Sequence, residues 1–197
     1  MRENHELRAI ARSQLHGSWL AAVGIVLVYG VIISASSFVV VGPLVLGGPL
    51  TLGLIGYFLK KARGGTGQLE NLFDGFSSFV KSFLLYLLQV IFIGLWSLLF
   101  IIPGIVKSFS YSMAFFILHD NPDIGASEAI DRSKKMMNGY KGKLFGLCLS
   151  FLGWGILCCF TLGIGFLWLF PYMSLSVTNF YEDLKKNQPA NVSNTAE

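Results

Sequence analysis

Residues 144–181 read LFGLCLSFLGWGILCCFTLGIGFLWLFPYMSLSVTNFY. No Asp, Glu, Lys or Arg interrupts them. A helix needs about 20 mostly apolar residues to cross the hydrocarbon core of a bilayer. This run is too long for one crossing and has a natural break at Thr161-Leu162-Gly163. It therefore predicts two membrane helices joined by a tight turn. In lipid the backbone must pair its own polar groups, which leaves helices or closed barrels. A barrel needs alternating, half-polar strands, and this run is apolar throughout.

The pattern recurs upstream. Residues 18–41, 42–59, 82–106 and 108–118 also lack charge. Gly42-Pro43 divides the first pair and Pro103-Gly104 the second. Three hairpins follow: 18–41 with 43–59, 79–102 with 104–119, and 143–160 with 162–181. The expected fold class is all-α, a polytopic membrane protein of about six transmembrane helices. One integral membrane domain covers 1–182, with hairpins at about 18–59, 79–119 and 143–181. Residues 183–197 read as a polar, disordered cytoplasmic tail. The first segment exceeds the 7–15-residue apolar region of a signal peptide and no A-x-A-like site follows it. Gly47-Gly48-Pro49 leaves two readings of the second segment, 43–59. It is a Pro-kinked span or a re-entrant, broken helix of the kind that forms transporter sites.

Composition agrees. Of 197 residues, 53% are hydrophobic and only 13% charged, against about 45–50% and 25% in soluble domains. Mean hydropathy is +0.61. A soluble enzyme, a disordered chain and a nucleic-acid-binding domain are disfavoured together. Net charge is +4 and the isoelectric point near 9.0, values that alone would suggest nucleic acid. Placement removes that reading. Fourteen of the fifteen basic residues lie before, between or after the hairpins, and Lys107 is the exception. All eleven acidic residues share those regions. By the positive-inside rule this side is the cytoplasm, so both termini are expected there, with small chargeless outer turns.

Each hairpin is preceded by a short amphipathic stretch, expected to be an interfacial helix. The first carries Leu7, Ile10, Ala11, Gln14 and Leu15, then Gly17-Ser18-Trp19. The second carries Leu69, Leu72, Phe73 and Phe76 around Gly75. The third carries Ala126, Ala129, Ile130, Ser133 and Met137, then Gly139-Tyr140. Apolar residues at i, i+3, i+4 and i+7 mark one helix face. Ala9-Ile10-Ala11-Arg12-Ser13 also echoes Ala129-Ile130-Asp131-Arg132-Ser133, which suggests an internal repeat. Asn121-Pro122-Asp123 reads as the start of the third helix, with a capping residue and Pro at the first helical position. Arg132, Lys134, Lys135, Lys141 and Lys143 are the candidate lipid contacts, each contributing about 1 kcal/mol near an anionic surface. The alternative is a cytoplasmic loop with topogenic lysines.

Catalytic chemistry is sparse. No ionisable residue lies deep in an apolar run, where one would mark an ion path. Gln89 and Asn179 read as hydrogen-bonding glue between helices. Cys148, Cys158 and Cys159 have no metal-ligand spacing, and no cofactor fingerprint is present. Gly64-Gly65-Thr66-Gly67-Gln68 lacks the Lys-Ser/Thr of a phosphate loop and reads as a linker. No catalytic, cofactor or metal residue is therefore assigned. His119 and Asp120 form a neighbouring pair with acid–base potential.

Several blocks carry a family resemblance. They are Gly48-Pro49-Leu50-Thr51-Leu52-Gly53, Ala62-Arg63-Gly64, Ile102-Pro103-Gly104-Ile105 and Tyr111-Ser112-Met113-Ala114-Phe115-Phe116. Further on come Asp120-Asn121-Pro122-Asp123, Gly139, Gly153-Trp154, Pro171-Tyr172 and Phe180-Tyr181-Glu182. Together they resemble the nine-seventy-five family of domains of unknown function, bacterial integral membrane proteins mostly of Firmicutes type. More remotely the chain is similar to the membrane domain of some bacterial glycerophosphodiester phosphodiesterases, without their catalytic barrel. The resemblance implies a cell-membrane location and an architecture, with Pro103, Gly104, Asn121, Pro122, Gly139, Pro171 and Tyr172 as candidate structural motif residues. It implies no catalytic residue.

The leading expectation is a non-enzymatic membrane module touching lipid or a partner protein, or forming a homo-oligomer, with no nucleic-acid partner and no cofactor. A transporter or channel for a lipid-like or small substrate is the second reading. An enzyme with an interfacial site near His119, Asp120, Asn121 and Asp123 is the third.

Overall fold

A computed structural model describes residues 2–37, 42–99, 101–161 and 163–187. Among these, every regular element is helical. The α-helices are α1 (Asn4–Leu15), α2 (Trp19–Ser36), α3 (Gly42–Ala62), α4 (Phe79–Leu99), α5 (Ile101–Tyr111), α6 (Ala114–Asp120), α7 (Ala126–Met136), α8 (Lys141–Leu149), α9 (Leu152–Phe160) and α10 (Phe166–Asn187). Two 3₁₀ turns, Leu69–Leu72 and Asp74–Ser78, precede α4.

Four stretches are long and apolar enough to cross a membrane: Trp19–Ser36, Gly42–Ala62, Leu69–Leu98 and Lys141–Phe160. The other two expected segments are helical but differ from a plain span. Segment 104–119 is divided between α5 and α6. Segment 162–181 lies mostly in α10, whose far end is polar. Leu20, Leu98 and Phe160 are 87%, 85% and 81% exposed. Water does not tolerate so large an apolar surface on one small chain, whereas lipid does.

Helix α3 is the axis. Eleven of its 21 residues are buried, against three of 18 in α2. It packs against α2, α4, α6, α10 and both 3₁₀ turns. Its small residues make that possible. A Cβ on Gly53 would stand 1.9 Å from the Leu72 carbonyl oxygen, and one on Gly75 would stand 2.0 Å from that of Pro49. The 3₁₀ turns thus lie directly on the α3 backbone, the close approach that small residues permit in membranes. Gly47-Gly48-Pro49 does not break α3, which stays helical through Pro49. Gly48 faces the backbone of Ser82 and Phe83 instead. The re-entrant reading is set aside because these residues form a docking surface for α4.

Other expectations shift in detail. Pro103-Gly104 is not the turn of the second hairpin. Both lie in the first turn of α5, where proline is tolerated, and Gly104 packs on Ser97 of α4. Asn121 does not start α7. It ends α6, donating its side-chain amide to the Ile117 carbonyl at 3.0 Å, and α7 begins after Gly125. The second amphipathic stretch forms 3₁₀ turns rather than an α-helix, because it bends twice over the α3 glycines. Residues 183–187, expected in the tail, continue α10 with Asp183 and Leu184 buried. Residues 38–41, assigned to the first segment, and 188–197 of the tail lie outside the described residues.

The amphipathic helices α1 and α7 bury their apolar faces in protein. Leu7, Ala11 and Leu15 of α1 are fully buried, as are Ala129, Ser133 and Met137 along α7 and its cap. Each helix ends in a glycine in the left-handed region, Gly17 at φ 80° and Gly139 at φ 81°. The backbone N–H that follows donates back to the last buried residue, Ser18 to Leu15 and Tyr140 to Met137. These equivalences pair Leu7 with Ala129, two positions away from the register of the Ala-Ile motif echo.

The break between α5 and α6 shows how an interrupted helix survives among apolar neighbours. Ser133 Oγ donates to the Ser110 carbonyl at 2.8 Å and accepts the Met113 N–H at 3.2 Å. Gln89 donates to the Tyr111 carbonyl at 2.9 Å. The backbone groups released at the break are therefore satisfied by α7 and α4, as a low-dielectric interior requires.

Candidate functional site: an ion cluster joining α3, α6 and α10

Asp120 is the last residue of α6, and its side chain is only 5% exposed. A carboxylate at a helix C-terminus meets outward-pointing carbonyl groups, so it needs cations. Arg63 supplies one, placing Nη2 2.8 Å from each Asp120 oxygen. Lys185 Nζ stands 2.6 Å from Oδ2. The buried Tyr181 hydroxyl donates to the same oxygen at 3.0 Å. Tyr181 and Lys185 sit one turn apart on α10, on a shared face. Arg63 also donates from Nε to Glu182 at 2.8 Å.

Local structure positions each member. The α3 chain ends in a Schellman motif. Gly64 lies at φ 84°, its N–H bonds the Lys61 carbonyl at 3.1 Å, and the Gly65 N–H bonds the Lys60 carbonyl at 2.8 Å. Glycine is the residue that adopts this left-handed cap. Gly64-Gly65 is thus a helix stop that sets where Arg63 emerges, rather than the start of a featureless linker.

The connectivity is closed. Arg63 follows α3, Asp120 ends α6, and Tyr181, Glu182 and Lys185 lie on α10. Helix α1 joins at the same end. The Arg2 N–H bonds Asp183 at 2.6 Å, Gln14 donates to the Ala62 carbonyl at 3.0 Å, and Asn179 donates to Gln14 at 2.8 Å. Asn179 and Gln89 thus act as the interhelical glue their chemistry suggests. Lys60 pairs with Asp74 at 3.1 Å, and Lys81 donates to the Pro122 carbonyl.

Electrostatics follow from this geometry. Burial pushes the Asp120 carboxyl up, but His119, Lys185 and Arg63 together reverse that and hold it well below the usual carboxylate range. Burial works against the Arg63 charge, and the bonds to Asp120 and Glu182 more than restore it, so its pKa rises. His119 Nδ1 stands 3.8 Å from Asp120 Oδ1, close enough to add to the pull on that carboxylate. The ring packs on α3, where a Cβ at Gly56 would meet Nε2 at 2.6 Å.

The candidate lipid contacts lie near the α7–α8 junction. Arg132 pairs with Glu128 at 2.6 Å and Lys134 with Asp131 at 2.7 Å. Lys134 also sits over the Tyr111 ring at 5.7 Å. Lys135 is exposed, and Lys141 and Lys143 are half-buried at the start of α8. The motif residues have separate tasks. Pro103 and Gly104 fit α5 onto α4, Asn121 caps α6, Pro122 receives Lys81, and Gly139 turns the chain into α8. Pro171 is buried inside α10, and Tyr172 meets Phe151 edge-on at 5.2 Å. Lys107, the basic residue set apart from the rest, lies over the Trp96 ring at 4.6 Å. Among the described residues no group of His, Cys, Asp or Glu is placed to hold a metal ion. The three cysteines are free thiols.

Sequence reading missed the cluster as an assembly. The available signal was the mixing of all eleven acids with the basic residues outside the apolar runs, which leaves charges able to pair.

Fold and site together define an all-helical protein with membrane-spanning segments, clamped at one end by ion pairs. The chain belongs to the family described as "Protein of unknown function (DUF975)", whose model matches residues 1–107 and 98–188. No curated protein and no solved structure matches it.

Proposed function

We propose that this chain is a non-enzymatic, multi-pass module of the bacterial cytoplasmic membrane, with six membrane segments and both termini inside. The observation that carries this reading is the Asp120 cluster. It engages a residue from each hairpin, and it leaves Asp120 saturated by Arg63, Lys185 and Tyr181. A carboxylate so held locks the hairpins and is poorly placed to move a proton. The unbroken α3 supports the module reading over a transporter built on a broken helix. On this reading the inner face, with Arg132, Lys134, Lys135, Lys141 and Lys143, meets anionic headgroups or a membrane-protein partner.

Single cysteines in a chain cleared of Cys148, Cys158 and Cys159 test the arrangement. In intact cells a membrane-impermeant maleimide should label Ile164→Cys, beside the outer turn. It should label Ser77→Cys and Asp123→Cys only after permeabilisation. The reverse pattern would overturn the orientation. In liposomes the purified protein should neither release a trapped dye nor scramble labelled lipid. Either activity would put the transporter reading first.

A further inference from the structure

A groove of about 470 Å³ opens between α1, α9, α10 and the start of α2. Its size falls in the ~300–1,000 Å³ range of small-ligand sites. Trp19, Trp154, Trp168 and Tyr172 wall it, and Arg12 enters it from α1. Trp154 and Trp168 are about half exposed, so the groove is open along its length.

Arg12 is the unusual member. Its guanidinium lies 5.9 Å from the Tyr172 ring centroid. Among the described residues no carboxylate pairs with it. Tyr172 precedes Tyr181 of the ion cluster by nine positions on one helix, about 14 Å at helical rise. Arg12 is exposed at the groove, so its guanidinium is open to an anion. Its planar fork of donors matches a phosphate, and tryptophan is the side chain favoured where headgroups meet chains.

We propose that this groove binds one anionic phospholipid of the bilayer, its phosphate on Arg12 and an acyl chain along Trp154 and Trp168. The proposal rests on the membrane reading above and names the lipid class and its seat. It also separates this site from the α7–α8 basic residues, of which Arg132 and Lys134 already have acidic partners.

Tryptophan quenching tests it. The full chain is reconstituted in vesicles containing a few per cent of chain-brominated phosphatidylglycerol or chain-brominated phosphatidylcholine. Brominated phosphatidylglycerol should occupy the groove about fivefold more readily, the preference one basic residue gives near an anionic surface. Unbrominated phosphatidylglycerol should compete that excess away, and phosphatidylcholine should not. Arg12→Gln should abolish the excess, whereas Arg132→Gln should keep it. Equal quenching by both lipids overturns the site and leaves the membrane reading standing. Quenching by neither overturns both. If Arg12→Gln does not fold, the competition on the unaltered chain still decides, because excess quenching that phosphatidylglycerol cannot displace also overturns the site.

Discussion

Arg63 places one guanidinium nitrogen 2.8 Å from both carboxylate oxygens of Asp120, joining the end of α3 to the end of α6. The contact is half-buried, with Asp120 enclosed and Arg63 41% exposed. Removing one partner of a fully buried pair costs about 3–5 kcal/mol. Here water still reaches the cations, so Asp120→Asn should cost about 2–3 kcal/mol. Thermal melting in mild detergent measures it. Lys60→Gln should change far less, because its pair with Asp74 is exposed on both sides. Equal losses from the two substitutions would deny the cluster its structural role.

Acid should reproduce the Asp120 substitution. The folded carboxyl lies below its unfolded value of about 3.9, so its stabilisation is complete above that pH. It is lost as pH falls from about 4 towards the lower folded value. The Asp120 contribution to the melting temperature should therefore not change with pH near neutrality, and should fall away below about pH 4. Asp120→Asn should flatten that acid-side fall. Asp74 is exposed; its slight desolvation is outweighed by Asn71 and Lys60, which hold it low, and it adds a smaller slope that survives in the variant.

What the sequence disclosed and what it hid have separate physical origins. Apolar runs are local, so an all-helical membrane fold was legible from residues 144–181 outward, and the amphipathic faces of α1 and α7 from their spacing. The cluster was not legible, because Arg63, Asp120 and Glu182 each resemble a topogenic surface charge until the fold brings them together. Gly47-Gly48-Pro49 misleads for a related reason. Glycine and proline signal a break in isolation, and only the 3₁₀ turns and α4 lying on α3 show that they make room. Asn121-Pro122 was read as a start although it is a stop, since Asn caps either end of a helix. Arg12 looked like one more inner-face charge, and only the packing of α1 across α10 carries it into the aromatic groove.

The repair of the α5–α6 break gives a third prediction. Ser133 holds a carbonyl and an N–H released there, and Gln89 holds a second carbonyl. Ser133→Ala should cost about 1–3 kcal/mol by leaving buried groups unpaired. Gln89→Leu should cost about 1 kcal/mol, in the range of interhelical bonds in membranes. Because both serve one break, the double variant should depart from additivity. Hydrogen exchange at the Met113 amide should accelerate in Ser133→Ala more than in Gln89→Leu. An unchanged Met113 rate would mean that Ser133 does not hold the break.

Paired glycine substitutions test whether α3 is the axis. At Gly53 an added methyl would fall 1.9 Å from the Leu72 carbonyl oxygen, a backbone atom in a docked 3₁₀ turn. That oxygen cannot swing aside as a side chain would, so the turn must lift from α3. Overpacking of this kind costs about 1–3 kcal/mol, and Gly53→Ala should lower the melting temperature accordingly. Gly24, in α2, has no atom within 4 Å of the same construction. There alanine relieves the glycine cost within a helix, about 0.5–1 kcal/mol. Gly24→Ala should therefore leave stability unchanged or raise it slightly. The two substitutions add the same atom to membrane helices of one hairpin and should move melting in opposite directions. A matching response at both sites would mean that helix propensity, rather than the close approach of Leu72 to α3, governs this part of the fold.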